Sequence, residues 1–491
     1  MSISIKENKI PVEIIEIAKI FKENGFEIYL IGGCVRDLLL DIAPKDWDFT
    51  TNANPEQIQG LFVDSFYENN FGTVGIKTRS EDETLKVVEV TPYRKESSYS
   101  DNRRPDKVEF SKTLEEDVER RDFTINSIAY DPISKIIKDI YKGQDDLSSG
   151  LIRTVGDADQ RFGEDALRIM RAVRFSAQLG FTIEQNTLNS IINNRNLLEK
   201  ISRERIGDEF SKIIKTDNPM IGLGMSEKLG ILEFISLNLQ KMVGVDQNKQ
   251  AHKYDVWEHC LRSLQHAADK NYSFEIRVAA LFHDIGKPAT KRTTNGKSTY
   301  YNHEMVGANV TRETLQDLRF SRETLKKVVL LVRSHMFFAD TDQITLSAVR
   351  RLVAKVGKDN IWDLINLRIC DRIGTGRPKE EPYRLRKFQS MIDEVMRDPI
   401  TVSMLKIDGK YIMNKFHVEP GPKIGYILSA LMEDVLENPE NNNEMFLVKR
   451  SKELLEMNET KLKKIGEDSK QKIEDVDRKE VRKLRNKRKV Q

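Results

Sequence analysis

Leu30 to Thr51 reads LIGGCVRDLLLDIAPKDWDFTT, and the fold of the N-terminal part of the chain turns on it. The apolar lead into Ile31 predicts a strand, Gly32-Gly33 a turn, the following VRDLLL a helix, and the segment after Lys45 a second strand. In a strand, Asp46 and Asp48 with one residue between them would share a face, about 7 Å apart. Two hard carboxylates on a rigid strand suit Mg²⁺, which takes oxygen ligands and also binds substrate phosphates. Gly32 and Gly33 would bring backbone N–H groups to a triphosphate, with the helix N-terminus adding positive potential. Arg36 is positioned to neutralise phosphate charge, and Asp37 to cap the helix or orient Arg36. Glu89 lies among valines in Val87-Val88-Glu89-Val90. A lone acid there is costly unless it sits at an edge or works with other charges, so it is the candidate third carboxylate. A DxD pair alone is common and mostly a surface feature. GG-x-VRD followed by eight residues and then DxDF is far more specific.

Working outward, 491 residues is room for roughly three domains of about 150 residues. Lys plus Arg number 80 and Asp plus Glu 77, a net charge of +3. The chain is thus no polycation, and any nucleic-acid contact would depend on a local basic surface. No apolar run approaches the ~18 residues of a membrane span, and the polar segment Met1 to Lys9 predicts no secretory leader and a cytoplasmic protein. Cys34, Cys260 and Cys370, odd in number and far apart, exclude a disulfide framework and a Cys-rich zinc site.

The expected fold class is α+β. Residues 1–145 form a mixed-sheet head, with strands at Glu27–Ile31 and Leu85–Val90, a helix at Pro11–Asn24 and a polar loop at Asp101–Pro105. Residues 146–245 form a helical neck and body whose long helices begin with Gly163–Leu179. Six of the seven histidines lie between His252 and His335, which marks a module at 246–380, closed by the Gly- and Pro-containing linker Gly374–Tyr383. A helical tail, 381–491, is interrupted at Glu419–Lys423 and ends in Arg478–Gln491, where eight basic residues face one acid. That run reads as a solvated helix end or, on an RNA-handling protein, as a salt-dependent phosphate contact. No internal repeat is present.

The motifs GGCVRD and DWDFT resemble the head of class II tRNA nucleotidyltransferases and poly(A) polymerases, members of the DNA polymerase β superfamily. Further elements follow in the family's order: Arg120-Arg121-Asp122-Phe123-Thr124-Ile125-Asn126, then Glu164-Asp165-Ala166-Leu167-Arg168, then Ser202 to Ile206. The resemblance spans about residues 25–245 and implies a polymerase-β-like head. Asp46, Asp48 and Glu89 would be its catalytic carboxylates, with Mg²⁺ as cofactor. Gly32, Gly33, Arg36, Arg121, Asp122, Asn126, Asp165, Arg168, Arg171 and Arg174 would form its nucleotide site. CTP, ATP and tRNA would be its partners. The stretch Tyr93 to Phe110, which the family uses in switching from C to A addition, is present in full.

At about 100° per residue, Glu164, Asp165, Arg168 and Arg171 would share one face of a helix, with Leu167, Met170 and Val173 packed inward. An Asp–Arg pair offers an acceptor beside donors. Cytosine and adenine each present a donor beside an acceptor, so one pair could read both and reject G and U. Without its neighbours, the same pair would read equally well as an ordinary surface salt bridge.

His259, His283-Asp284, His303, His335 and Asp371 run in the order H…HD…H…H…D, which resembles the HD phosphohydrolase superfamily. Imidazole suits a divalent transition metal, a carboxylate can bridge two ions, and a metal-bound hydroxide attacks phosphoesters. His259, His283, Asp284 and Asp371 are the minimal ligand set, His303 and His335 would complete a two-metal site, and Lys287 would hold phosphate. His252 and His266 read as structural or surface residues.

The leading expectation is therefore a tRNA nucleotidyltransferase adding CCA, with a fused phosphohydrolase. A poly(A) polymerase shares most of the motifs. A phosphohydrolase with a non-catalytic head is disfavoured by the intact DxD, and an RNA-binding scaffold by both metal sets. A stringent-response synthetase-hydrolase carries its HD domain first, the reverse of this order. The oligomeric state is left open.

Overall fold

The computed structural model describes residues 5–68, 72–97, 107–247, 253–294, 297–337, 344–377, 379–396 and 401–469. The loop Asp101–Pro105, His252 and the basic run Arg478–Gln491 lie outside the described residues. The chain divides into two compact units, Met1–Leu237 and Asn238–Gln491.

The first unit opens with α1 (Val12–Glu23), β1 (Ile28–Ile31), α2 (Gly33–Leu39), β2 (Asp48–Thr51), α3 (Pro55–Leu61), β3 (Ser65–Tyr67), β4 (Val74–Lys77) and β5 (Val87–Pro92). The hairpin β6 (Arg94–Ser97) and β7 (Lys107–Phe110), α4 (Leu114–Glu119), β8 (Ala129–Asp131) and β9 (Ile136–Lys138) follow. Seven strands form one sheet in the order β3-β4-β5-β2-β1-β8-β9. β2 and β5 run parallel, and the other neighbouring pairs are antiparallel. All four residues of β1 are buried, as expected of a central strand covered on both faces.

The unit continues with α5 (Gly143–Ser149), α6 (Ala158–Glu164), α7 (Leu167–Leu179), α8 (Gln185–Asn194), α9 (Arg203–Lys215), α10 (Pro219–Lys228) and α11 (Leu232–Ile235), and the short α12 (Leu237–Gln240) falls at the boundary. α7 buries Ile169, Met170, Val173 and Phe175, and α9 buries Ile206, Phe210, Ile213 and Ile214; these apolar faces pack on one another.

The second unit is built from α13 (Val256–Asp269), α14 (Phe274–Phe282), α15 (Lys287–Thr290), α16 (His303–Asp317), α17 (Arg322–Ser334), α18 (Leu346–Val356), α19 (Ile361–Gly374), α20 (Tyr383–Val395), α21 (Gly409–Phe416), α22 (Pro422–Glu437) and α23 (Glu444–Leu455). α13 packs on α14 and α19, and α16 on α17. The architecture is the expected α+β class, a mixed-sheet head followed by helices.

Three local expectations need correction. The helix expected at Gly163–Leu179 is two helices. Asp165, between them, has extended backbone angles of φ −141° and ψ 101°. Its carboxylate accepts from Leu167 N at 3.1 Å, the kind of local bond by which Asp competes with a continuous helix. Asp46 precedes the strand rather than lying in it, because β2 begins at Asp48. His283 and Asp284 stand on the turn that ends α14 rather than within a helix.

Candidate active site and candidate metal centre

In the first unit, the parallel pairing of β2 with β5 sets Asp48 directly opposite Glu89. Asp46 reaches the same place from the preceding bend. A Cβ placed on Gly33 would lie 3.8 Å from Asp46 Oδ1 and 3.6 Å from Arg36 Nη2, and one on Gly32 would lie 3.8 Å from Asp48 Oδ2 and 3.5 Å from Arg121 Nη1. Gly32 also has a φ of +83°, a left-handed conformation that favours glycine. The two glycines thus leave a shallow space between acids and arginines. The acids strain one another electrostatically. Burial, then the charges of Asp46 and Glu89, push the Asp48 carboxyl up to about 7, against the pull of Arg121. Loss of solvation, Glu68 and Asp46 also raise Glu89. Crowded oxygen donors that resist ionisation are what a divalent cation would relieve.

Beside them, Arg36 is fixed by Asp37 Oδ1, which accepts from Nε at 2.9 Å and Nη2 at 2.7 Å, so Asp37 orients Arg36 rather than capping α2. Arg36 Nη1 donates to Asn126 Oδ1 at 2.9 Å, and Asn126 Nδ2 to Asp122 Oδ1 at 3.2 Å. Arg171 Nε donates to Asp122 Oδ2 at 2.8 Å. Burial works against the charge on Asp122, yet Arg171 and Asn126 hold its carboxyl down at about 2. The guanidiniums of Arg36, Arg171 and Arg174 stand 5.3, 5.4 and 4.3 Å from the Phe175 ring centre, within cation–π range. Arg174 Nε also meets Glu209 Oε2 at 2.8 Å.

The expected Asp165–Arg168 pair is not the pairing observed. Arg168 Nη1 donates to Glu164 Oε2 at 2.7 Å, and Nη2 to the Arg120 carbonyl at 2.8 Å. Asp165 instead accepts both guanidinium ends of Arg205, at 3.2 and 2.7 Å. The break between α6 and α7 leaves Asp165 outside the helix that carries Arg168. Arg205 lies in the Ser202–Ile206 stretch, but nothing local says which acid it meets.

In the second unit, three imidazoles share one device. Nδ1 of His283, His303 and His335 bonds the carbonyl three residues earlier, Ala280 at 2.9 Å, Tyr300 at 2.8 Å and Val332 at 2.6 Å. That fixes each ring with Nε2 inward, as metal-ligating histidines are held. His259 Nε2 and His283 Nε2 are 2.9 Å apart, and Asp284 Oδ2 is 3.3 Å from both. Asp284 Oδ1 faces the other way, 3.3 Å from His303 Nε2 and 3.8 Å from His335 Nε2. Asp371 Oδ1 lies 3.3 Å from His259 Nε2 and 3.8 Å from His283 Nε2. His259, His283 and Asp284 form one group whose ligand atoms lie within 4.8 Å of one another, and Asp284, His303 and His335 form a second. Buried nitrogen and oxygen donors in two sets sharing one carboxylate suit one or two divalent cations.

Burial opposes protonation of His259, but its hydrogen bonds to the Asp284 and Asp371 carboxylates outweigh it and hold its pKa at about 9. Burial and the neighbouring His303 and His283 press His335 down to about 3. Lys287 Nζ, expected to hold phosphate, is buried on Asp284 Oδ2 at 2.6 Å and Gln247 Oε1 at 2.6 Å. His266 stands apart, 3.9 Å from Glu380. Sequence reading missed Arg205, Glu209 and Gln247, whose partners come from distant segments.

Among known families, the poly A polymerase head domain matches residues 28–153, the probable RNA- and SrmB-binding site of polymerase A matches 180–242, and the HD domain matches 256–374. A CCA-adding enzyme of Ligilactobacillus salivarius is 32% identical over 443 residues, 89% of this chain and 94% of that protein. One from Lactococcus lactis subsp. lactis is 32% identical over 459 residues, covering 92% and 100%. The crystal structure of the Bacillus stearothermophilus CCA-adding enzyme in complex with CTP superposes with a TM-score of 0.68 at 25% identity, over 90% of this chain and 97% of that one.

Proposed function

The chain belongs to the CCA-adding enzyme family, and from that premise we propose that its first unit adds CCA to tRNA 3′ ends from CTP and ATP. The observation that carries the reading is the β2–β5 register, which sets Asp48 against Glu89 with Asp46 and Arg121 at the two glycines. Asp46, Asp48 and Glu89 would hold divalent cations, which we take to be Mg²⁺ and which, when bound, activate the RNA 3′-hydroxyl and stabilise the departing pyrophosphate. Gly32 and Gly33 let the triphosphate approach the backbone. Arg36, Arg121, Arg171 and Arg174 balance its charge, and Asn126 and Asp122 keep Arg36 and Arg171 in line while offering polar contacts to the ribose. Asp165 and Arg168 read the base edge, with Arg205 holding the Asp165 carboxylate. Arg168 would leave Glu164 to offer its donors to a base.

For the second unit we propose a phosphoesterase whose ligands are His259, His283, Asp284 and Asp371, with His303 and His335 on the other oxygen of Asp284. A divalent transition metal bound there would supply an activated hydroxide. Lys287 keeps the shared carboxylate ionised. As a tRNA enzyme the protein would work in the cytoplasm; no helix of the described residues is long and apolar enough to cross a membrane.

The test is incorporation on a tRNA transcript ending at the discriminator base, with CTP, ATP, or both. Two C followed by one A and then a stop is expected. Open-ended A addition without CTP use would make the enzyme a poly(A) polymerase instead, and no incorporation under any condition would overturn the reading of the head.

A further inference from the structure

We propose that Asp117, for which the catalytic reading has no part, is the positioning residue that holds Arg121 at the nucleotide turn. The inference rests on the assignment of Arg121 to the triphosphate. Asp117 lies on α4 with no exposed surface. Its Oδ1 accepts from Arg120 Nε at 3.0 Å and Nη2 at 2.6 Å. Its Oδ2 accepts from Arg121 Nη2 at 3.3 Å and from Thr50 Oγ1 at 3.1 Å. Thr50 belongs to β2, the strand that begins with Asp48. The other end of the Arg121 guanidinium, Nη1, is the atom that a Cβ on Gly32 would meet, beside Asp48 Oδ2. One carboxylate therefore ties the strand of the metal-site acids to the arginine that faces them.

Two further bonds join the same corner to the neck helices. Arg168 Nη2 donates to the Arg120 carbonyl at 2.8 Å, and Arg161 Nη1 to the Glu119 carbonyl at 2.8 Å. Burial opposes the charge on Asp117, but Arg120 and Arg121 hold its carboxyl below the usual range, so it stays ionised. One negative charge between two guanidiniums leaves a net positive charge, and Arg121 is the partner that stands at the turn where phosphate would arrive. A buried ion pair is weak grounds for net stability, and its better-supported use is to fix geometry.

The experiment is a double-mutant cycle in the full chain with Asp117→Asn, Arg121→Gln and the pair. Single additions would be read with CTP on a transcript ending at the discriminator base, and with ATP on one ending in CC. Asp117→Asn is expected to lower kcat/KM for both nucleotides about 10-fold or more with the KM for tRNA unchanged. If Asp117 acts through Arg121, the double variant falls no more than about 3-fold below Arg121→Gln alone. Multiplying losses, or wild-type kcat/KM in Asp117→Asn, would overturn the proposal. Wild-type kcat/KM in Arg121→Gln would instead show that the Arg121 assignment is wrong, and the inference would fall with it. Should Asp117→Asn fail to fold, Thr50→Val cuts one bond to the same carboxylate and enters the same cycle with the same criteria.

Discussion

Asp48 and His259 each hold a proton that a metal ligand must give up, and metal binding should report both. The Asp48 carboxyl is held up at about 7 by burial, Asp46 and Glu89, whereas an unfolded chain titrates it near 4, so the metal-free fold binds this proton more tightly. Its contribution to stability is present at low pH and is lost as pH rises from about 4 to about 7. A cation must displace that proton below pH 7, so the rise in Tm on adding Mg²⁺ should be larger at pH 8 than at pH 6. An equal rise at both would show that Asp48 is not a ligand. For His259, held at about 9, the stabilisation from Asp284 and Asp371 is present below about pH 6.5 and fades as pH rises through 9. Metal entering at pH 7 should therefore expel about one proton, measurable by calorimetry in buffers of different ionisation enthalpy. At this scale the residue types were legible in the sequence: acids at DxD spacing, an acid among valines, and histidines in HD order. Their pairings were not. Asp165 meets Arg205 from a segment 40 residues away, and no local pattern specifies such a contact.

Between elements, the decisive contact in the second unit is the approach of α19 to α13. A Cβ on Gly374 would lie 2.1 Å from Ser263 Oγ, 2.7 Å from the His259 carbonyl and 3.0 Å from His259 Nδ1. Gly374→Ala should therefore push α13 away and disturb the approach of Asp371 to His259. The expected outcome is a loss of metal affinity of about 10- to 100-fold and a stability cost of about 1–3 kcal/mol from overpacking. Metal titration and thermal unfolding of the variant would check both, and unchanged metal affinity would show that the helix contact does not set the ligand geometry. The apolar periodicity marked α1 and the apolar runs marked β1 and β5, each within a residue or two. It failed at Asp165, where apolar residues on both sides continue the helical pattern through a position at which a carboxylate bonds its own backbone instead.

For the whole molecule, the two proposed chemistries fall in separate compact units, each with its own candidate ligands. Asp46→Asn should cut nucleotide incorporation by about 10²-fold or more and leave phosphoester hydrolysis, assayed with added Mn²⁺ or Ni²⁺, unchanged. His283→Ala should do the reverse. A variant that lost both activities while keeping its wild-type Tm would show that the units do not act separately. Near neighbours along the chain set the local features. These are the strand–turn–helix at the glycines, the α+β division into a mixed head and helical remainder, and the residue types each site can draw on. The folded chain settles the rest through register and packing. It set Asp48 opposite Glu89, turned the two oxygens of Asp284 toward different histidine pairs, broke the helix at Asp165 and buried Asp117 between two arginines. Spacing along a chain limits side-chain direction over a few residues, whereas the meeting of distant segments is fixed by strand pairing and helix packing, which bury many groups at once and choose the partners together.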